Sequence, residues 1–180
     1  AKELRAGDMV LGGTRMTGKL KAIKKPYLLG DYVEKPSTDR WDQVMLGSAL
    51  GDAGIYRKKW NNAYIYEQHC VAQTEYLEWK WAIIRDKLRV TPLKNAKSGY
   101  TGKPQVGYVS GNSPLVNKYV PIRVKDQTLT PHLQDLDALG LAVWYMDDGC
   151  AGRAFVISSE GFNETQNQEL VAILKDRFQI

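Results

Sequence analysis

Cysteine and histidine are both scarce in this chain of 180 residues. Its two cysteines, Cys70 and Cys150, are far apart and form no C-x-x-C pair, which argues against a disulfide framework and a zinc knuckle. Its two histidines, His69 and His132, argue against a histidine-rich metal centre and an HNH-type nuclease. The sequence therefore excludes the common metal sites that are built from cysteine and histidine.

Long hydrophobic runs and an N-terminal signal peptide are also missing. No apolar run approaches the roughly 20 residues that a membrane-spanning helix needs. We therefore expect a soluble protein that has no membrane partner, works inside the cell and is not secreted. Hydrophobic residues make up 43% of the chain, enough for one substantial core.

Positive charge is in excess, with a formal net charge of +5. This balance fits a nucleic-acid partner, although many unrelated soluble proteins are equally basic. Residues 1–40 are polar, basic and interrupted by glycines, which predicts a loosely structured N-terminal arm.

The stretch Leu133–Gly149, LQDLDALGLAVWYMDDG, has apolar residues at three- and four-residue steps, which predicts a buried helix. It follows Thr130-Pro131, a pair suited to a helix start. The helix ends in Asp147 and Asp148, where negative charge opposes the helix dipole. Such a position indicates a bound cation, and a solvated Asp-Asp-Gly turn is the alternative.

The stretch Gln43–Gly54, QVMLGSALGDAG, repeats this design and carries Asp52 near its end. Small residues within both predicted helices would allow the two helices to pack closely and to bring Asp52 and Asp148 together. Two carboxylates that meet at an interface suit Mg²⁺, a hard ion that prefers oxygen ligands.

Both stretches resemble the motif of the LAGLIDADG homing endonucleases, with GSALGDAG as the first copy and LAVWYMDDG as the second. The resemblance is to the single-chain subgroup with two motifs. It implies an α/β fold of two pseudo-symmetric αββα units, whose antiparallel sheets form a saddle for DNA. The predicted boundaries are 1–40 for the arm, 41–132 for the first unit and 133–180 for the second unit.

The family alignment selects Asp52 and Asp148 as the catalytic acids, with Asp147 in a secondary role. It implies two or more Mg²⁺ ions, replaceable by Mn²⁺, held by Asp52 and Asp148 with the carbonyl groups of Gly51 and Asp147 nearby. Lys118, in a Lys-x-x-Pro segment, resembles the active-site lysine that precedes the second motif. A surface lysine near a turn is the alternative.

The segment Ile55–His69 alternates apolar and polar residues around Asn61-Asn62, which predicts a β-hairpin. A two-stranded ribbon fits the DNA major groove, where polar side chains reach base edges; a solvated face is the alternative. The candidate DNA contacts, on this ribbon and on later segments, are Arg57, Lys59, Tyr64, Tyr66, Gln68, Lys103 and Arg153.

Further patterns predict a helix over Gln73–Leu88, strands at QVGYVS and RAFVISS, a short helix from Pro114 to Tyr119 and a helix from Asn163. Asp148 follows Asp52 by 96 residues, whereas 32 residues follow Asp148. The second unit is therefore predicted to be incomplete at its C-terminal side and to lack its own lysine and part of its DNA clamp.

The first residues, AKELRAGDMVL, resemble a stretch of intein splicing domains, which indicates an intein-derived arm. An ordinary edge strand and loop is the alternative. The chain opens with no nucleophile, carries no Thr-x-x-His and ends without His-Asn, so we expect no protein splicing by this chain alone.

These observations predict a monomeric, metal-dependent endonuclease that acts on double-stranded DNA. The alternatives are a non-catalytic nucleic-acid-binding relative, such as a maturase-like binder of intron RNA, and an unrelated basic enzyme with a structural Asp-Asp-Gly turn.

Overall fold

The computed structural model describes residues 39–59, 61–94, 102–151 and 155–180. All of them belong to the part of the chain that spans Pro36–Ile180. Most of the predicted basic arm (1–38), Trp60 of the hairpin turn and the DNA-contact candidate Arg153 lie outside the described residues.

The elements follow one another as α1 (Arg40–Leu50), β1 (Gly54–Arg57), β2 (Ala63–Cys70), α2 (Thr74–Ile84), β3 (Val90–Pro92), β4 (Gln105–Ser110), a 3₁₀ helix (Pro114–Arg123), α3 (Ala138–Asp148), β5 (Gly149–Ala151), β6 (Phe155–Ile157) and α4 (Glu164–Phe178). Each half therefore has the order helix, two strands, helix, and the first half adds β3 and β4. The predicted α/β architecture of two αββα units is confirmed.

Helix α1 lies at the centre of the structure. Asp39 caps its N-terminus by accepting a hydrogen bond of 3.2 Å from the amide of Trp41. Beyond the first turn, every residue from Gln43 to Leu50 is buried, because α2, α3 and the 3₁₀ helix all pack against this helix. Polar Gln43 and Ser48 are buried with the apolar residues.

The crossing of α1 and α3 depends on two glycines. A methyl group at Gly47 would lie 2.4 Å from the carbonyl oxygen of Gly140 and 2.6 Å from Cβ of Val143. A methyl group at Gly140 would lie 2.7 Å from Oε1 of Gln43. Two helix backbones can approach this closely only where neither carries a side chain, which confirms the predicted close packing of the two motif helices.

Strands β1, β2, β4 and β3 form one antiparallel sheet in that order. The side chains of β2 alternate, so that Ile65, Glu67 and His69 are buried and Tyr64 and Tyr66 are partly exposed. Helix α2 contacts the sheet through β2 and β4. The predicted hairpin is confirmed, since Ile55 pairs with Ile65 and Tyr56 pairs with Tyr64.

The second motif helix begins later than the sequence predicted. Thr130-Pro131 starts a single 3₁₀ turn, and α3 begins at Ala138, where Asp137 accepts hydrogen bonds from the amides of Leu139 and Gly140. Leu133 and Leu136 precede the helix and are fully buried. Their three-residue spacing therefore resembles the apolar face of a helix although neither residue is helical.

The last helix begins as predicted. Asn163 and Gln166 form a reciprocal capping box at the start of α4. Among the described helices, none combines the length and the apolar character needed to cross a membrane.

Candidate active site

The C-terminal ends of α1 and α3 meet beside each other. Helix α1 ends at Gly51, and a methyl group there would lie 2.5 Å from Cβ of Asp147. The backbone amide of Asp52 points to Oδ2 of Asp147 at 3.4 Å. The small residue in the first motif therefore allows the carboxylate-bearing end of the second motif to approach.

The carboxylate of Asp147 is fully buried and has several donors around it. Tyr76 donates to its Oδ1 at 2.8 Å, and the ammonium group of Lys80 lies 2.8 Å from Oδ1 and 2.9 Å from Oδ2. Burial raises the pKa of Asp147 to about 6 against the opposing effect of Lys80, which still leaves the group ionised at neutral pH.

Lys80 is itself fully buried and also contacts the carboxylate of Glu67. Burial alone would lower its pKa, but Glu67 and Asp147 raise the pKa of Lys80 above its ordinary value. Glu67 accepts further hydrogen bonds from Nε1 of Trp81 at 3.0 Å and from Nε2 of His69 at 2.9 Å. His69 then reaches the first motif, where its Nδ1 lies 3.8 Å from Oδ2 of Asp52.

Asp52 and Asp148 are the more accessible acids of this site. The side chain of Asp52 is 43% exposed. Burial raises the pKa of Asp52, and His69 opposes the rise. Burial and the charge of nearby Asp52 raise the pKa of Asp148 to about 6, with Arg123 acting in the opposite direction. Each of the two motifs thus contributes one acid to a region of negative charge.

Arg123 is the cation next to these acids. Its guanidinium group donates a hydrogen bond of 2.8 Å to the carbonyl oxygen of Ala53 and also contacts the carbonyl oxygen of Gly51. It therefore binds the backbone on both sides of Asp52. The attraction that Arg123 exerts on Asp52 and Asp148 offsets part of their mutual repulsion.

Lys118 does not lie at this site, which corrects its prediction as an active-site lysine. Its ammonium group contacts Oδ1 of Asp42 at 2.7 Å, in the first turn of α1. Asp42 and Asp52 are separated by the length of that helix, about 15 Å at 1.5 Å per residue. The 3₁₀ helix runs alongside α1, so Arg123 at its C-terminal end reaches the acids instead.

Three of the seven predicted DNA contacts, Tyr64, Tyr66 and Gln68, lie on the outer face of the sheet. Tyr64 and Tyr66 share one face, and Gln68 is exposed two residues further along. Arg57, another predicted DNA contact, pairs with Ala63 on the opposite face of the sheet from Tyr64. Tyr56 is the residue that joins the two tyrosines, with ring centroids 5.8 Å from Tyr64 and 5.3 Å from Tyr66.

The two predicted lysine contacts lie in exposed connections. Lys59 follows β1 in the hairpin turn, and Lys103 precedes β4. Lys103 is close in sequence to Gln105, which pairs with Cys70 at the end of β2. The structure therefore places the two lysines at different ends of the sheet.

A model of the LAGLIDADG DNA endonuclease family matches residues 42–180, more than three quarters of the chain. The chain belongs to this family. The match includes both motif helices, the sheet and the region of Asp52 and Asp148. The matched residues thus include the meeting point of α1 and α3.

Curated relatives of this LAGLIDADG protein include Protein RecA from Mycobacterium shimoidei, 28% identical over 176 residues that cover 91% of this chain and 33% of the relative. Protein RecA from Mycolicibacterium flavescens is 28% identical over 88% of this chain and 33% of its own length. The chain therefore spans about a third of the length of these relatives.

The fold is similar to that of the homing endonuclease I-WcaI, whose structure was solved bound to its DNA recognition sequence. The TM-score is 0.59, with 18% sequence identity over 89% of this chain and 78% of that chain. At this identity, the similarity establishes the fold.

The donors at the site fit a hard divalent cation in the region of Asp52 and Asp148. Burial is the main cause of the raised pKa of each carboxylate, and the charge of Asp52 adds to the rise for Asp148. Asp52, His69 and Asp147 also offer ligand atoms within 4.8 Å of one another. Lys80 and Tyr76 already occupy the oxygens of Asp147, so we consider the pair Asp52 and Asp148 to be the better cation site.

Several residues of this site escaped the sequence reasoning. Glu67 and His69 fall in the predicted hairpin and Lys80 in the predicted helix Gln73–Leu88, and no sequence pattern gives Arg123 a role at the site. The alternation along β2 could have flagged Glu67 and His69, because both fall on its buried face. A charged residue on a buried face needs a partner, which is a signal that the sequence does carry.

Proposed function

We propose that this chain is a metal-dependent endonuclease that hydrolyses phosphodiester bonds at a specific site in double-stranded DNA. The observation that carries the proposal is the meeting of Asp52 and Asp148 at the ends of two closely packed motif helices. Family membership supports DNA as the substrate, and so does the similarity to I-WcaI, which was solved on its own recognition sequence.

Asp52 and Asp148 would hold divalent ions, with Mg²⁺ as the natural choice and Mn²⁺ as a substitute. The carbonyl oxygen of Gly51 has a second lone pair beyond the one that Arg123 uses, so it is still able to serve as a ligand. When bound, such ions activate water and stabilise the leaving oxygen of a phosphodiester.

The remaining residues of the site bind, orient and compensate charge. Arg123 fixes the backbone around Asp52 and carries positive charge where a phosphate must approach two acids. The tyrosines of the sheet offer aromatic faces and hydroxyl groups to base edges; they are Tyr56, Tyr64 and Tyr66. Lys59 in the hairpin turn and Lys103 before β4 attract the DNA backbone.

An intein-derived origin is part of the proposal. The alignment with the RecA relative covers 91% of this chain, which is more than residues 42–180 make up. This alignment therefore also includes part of the N-terminal arm. The arm is also the part that resembles an intein splicing domain in sequence. We propose that the natural host element of this chain is a mobile intein, and that the chain acts as a monomer inside the cell.

A cleavage selection tests the activity. A randomised duplex library is incubated with the protein and Mg²⁺, next to the variants Asp52→Asn and Asp148→Asn and to Lys175→Gln, a change at an exposed position of α4. We expect one long enriched site that the wild type and Lys175→Gln cut and that both aspartate variants bind without cutting.

Enriched binding without cutting by the wild type would replace this proposal with the non-catalytic alternative. An RNA-binding relative would then be identified by a preference for structured RNA in the same selection. No enrichment of either nucleic acid would contradict a nucleic-acid function altogether.

A further inference from the structure

The Lys80 cluster, which we define as Glu67, Tyr76, Lys80, Trp81 and Asp147, joins the two halves of the protein. Glu67 lies on β2 and the next three residues lie on α2, all in the first half, whereas Asp147 lies at the end of α3 in the second half. The side chains of Glu67, Lys80 and Asp147 are each 0% exposed. The contact between the halves thus combines a glycine-mediated helix crossing with a buried charge bridge.

A buried charge bridge is poor evidence for stability. Moving charges out of water costs several kcal/mol for each ion, and apolar replacements of similar volume are often neutral or stabilising. In some proteins, buried bridges of this kind serve to specify one geometry. The geometry that this cluster specifies is therefore the relevant question.

Among the described residues, the hydrogen-bond donors to the carboxylate of Asp147 come from the first half. Tyr76 and Lys80 hold the two carboxylate oxygens, and Oδ2 also accepts the long hydrogen bond of 3.4 Å from the amide of Asp52. A chain of polar contacts consequently runs from Glu67 through Lys80 and Asp147 to the backbone of Asp52. It connects a rigid strand and helix to the residue that carries the first acid.

The second acid has no equivalent connection among the described residues. The residue before Asp148 is Asp147, whereas the residue before Asp52 is Gly51, which has no side chain to present to the second half. The charges that act on Asp148 are those of Asp52, Arg123, Glu160 and Lys80. The polar chain therefore supports one of the two acids more directly than the other.

We propose that Lys80 and Asp147 form a positioning pair for Asp52, so that the buried bridge between the halves sets the rate of cleavage of one DNA strand. The proposal rests on the proposed endonuclease function. Neither residue of the pair touches the substrate; Lys80 acts on Asp147, and Asp147 acts on the backbone of Asp52. Loss of the pair should impair the strand that depends on Asp52 more than the strand that depends on Asp148.

The experiment measures nicking of each strand in a supercoiled plasmid that carries the selected site, with end-labelled duplexes to identify the strand. Asp52→Asn and Asp148→Asn first assign each strand to its acid. The test variant is Asp147→Leu, which removes the acceptor for the Asp52 amide and leaves Tyr76 its second acceptor, the carbonyl oxygen of Val143 at 3.2 Å. Lys175→Met, at an exposed position of α4, is the control for lysine removal.

A triple variant separates positioning from stability. Glu67→Gln, Lys80→Met and Asp147→Leu together remove all three buried charges, so the fold is expected to survive even where Lys80→Met alone does not. Glutamine at position 67 accepts the hydrogen bond of Trp81 through its oxygen, and its amide nitrogen donates to Nε2 of His69 when that ring takes its other neutral tautomer. Thermal unfolding and DNA affinity are measured for every variant that is assayed for cleavage.

For the triple variant we expect near-wild-type unfolding temperature and DNA affinity, with a loss of about 10- to 100-fold in the rate for the Asp52-dependent strand, since small misplacements have effects of this size. The other strand should be cut at close to the wild-type rate. Wild-type cutting of both strands by the folded triple variant would overturn the positioning role, and so would equal loss on both strands. A wild type that binds but cuts neither strand would instead overturn the proposed function.

Discussion

Gln43 of α1 accepts a hydrogen bond of 2.8 Å from the amide of Asp137, the residue that caps α3. Its side-chain amide also donates to the carbonyl oxygen of Asp135 at 2.7 Å. One buried glutamine in the first motif thus fixes the entry of the chain into the second motif. The glycine crossing holds the middle of the two helices, and Gln43 holds the start of α3.

Replacement of Gln43 by leucine should destabilise the protein. The change keeps an apolar side chain of similar size but leaves two backbone groups without these partners, at a cost of about 1–3 kcal/mol. Urea denaturation of Gln43→Leu measures this loss, and Gln134→Leu, at an exposed position before α3, should unfold like the wild type. Equal stability of the two variants would contradict the assigned role.

Arg123 and Lys118 make a matched pair for testing which cation serves the acids. Arg123→Met removes the donor to the carbonyl groups around Asp52, so we expect cleavage of the selected site to fall by about 10-fold or more. Lys118→Met removes a partly exposed ion pair with Asp42, so stability should change by about 1 kcal/mol or less and cleavage should be retained. Single-turnover cleavage at saturating enzyme gives both rates; the reverse order would restore the lysine that the sequence pattern suggested.

DNA binding should weaken steeply with salt, and the hairpin should contribute to that dependence. Each lost phosphate contact reduces the slope of log affinity against log salt concentration by about 0.9. Fluorescence anisotropy of Lys58→Ala and Lys59→Ala, titrated with the selected duplex at several salt concentrations, measures the slope. An unchanged slope in both variants would place the hairpin tip away from the DNA backbone.

Glu169 should give the fold a defined dependence on pH. Slight desolvation raises the pKa of Glu169. Hydrogen bonds of 2.7–2.8 Å from Thr130 and Leu129 lower it by more than this rise, so the pKa lies below the ordinary value of 4.5. A carboxyl group with a lowered folded pKa stabilises the fold above its unfolded pKa, and this contribution disappears as the pH falls through the folded value.

Glu169→Gln should accordingly be less stable than the wild type at pH 7, and the difference should shrink below about pH 4.5. Urea denaturation between pH 3 and pH 7 measures this difference, with Asp176→Asn on the exposed side of α4 as the control. A difference that is constant over this range would show that the charge of Glu169 contributes nothing.

Local patterns in the sequence were sufficient to predict the motif helices and the hairpin. The helical spacing and small residues around Gly47 and Gly140 predicted a close helix pair, and the alternation from Ala63 to Cys70 predicted β2. The sequence pattern predicted too early a start for α3. Leu133 and Leu136 are buried, but they lie between a 3₁₀ turn and the first residue of the helix. Burial leaves the same apolar pattern in both cases.

The surroundings of the acids could not be predicted in the same way. Lys80 is 67 residues away from Asp147 in sequence, and nothing in its neighbourhood on α2 indicates that partner. The position of Arg123 depends on how far the 3₁₀ helix extends alongside α1. Lys118 matched a family pattern in sequence, but the course of that helix brings it to Asp42.

The ion pair between Lys80 of the first half and Asp147 of the second half limits how this protein could be redesigned as a symmetric dimer. An engineered homodimer of two first halves would set Gly51 of one copy where Asp147 now faces the other, so each Lys80 would keep Glu67 as its only carboxylate. Symmetrisation would therefore need a second substitution, either an acid in place of that glycine or an uncharged residue in place of the lysine. The two halves share their order of helices and strands, but a buried lysine of the first half depends on an acid that only the second half supplies.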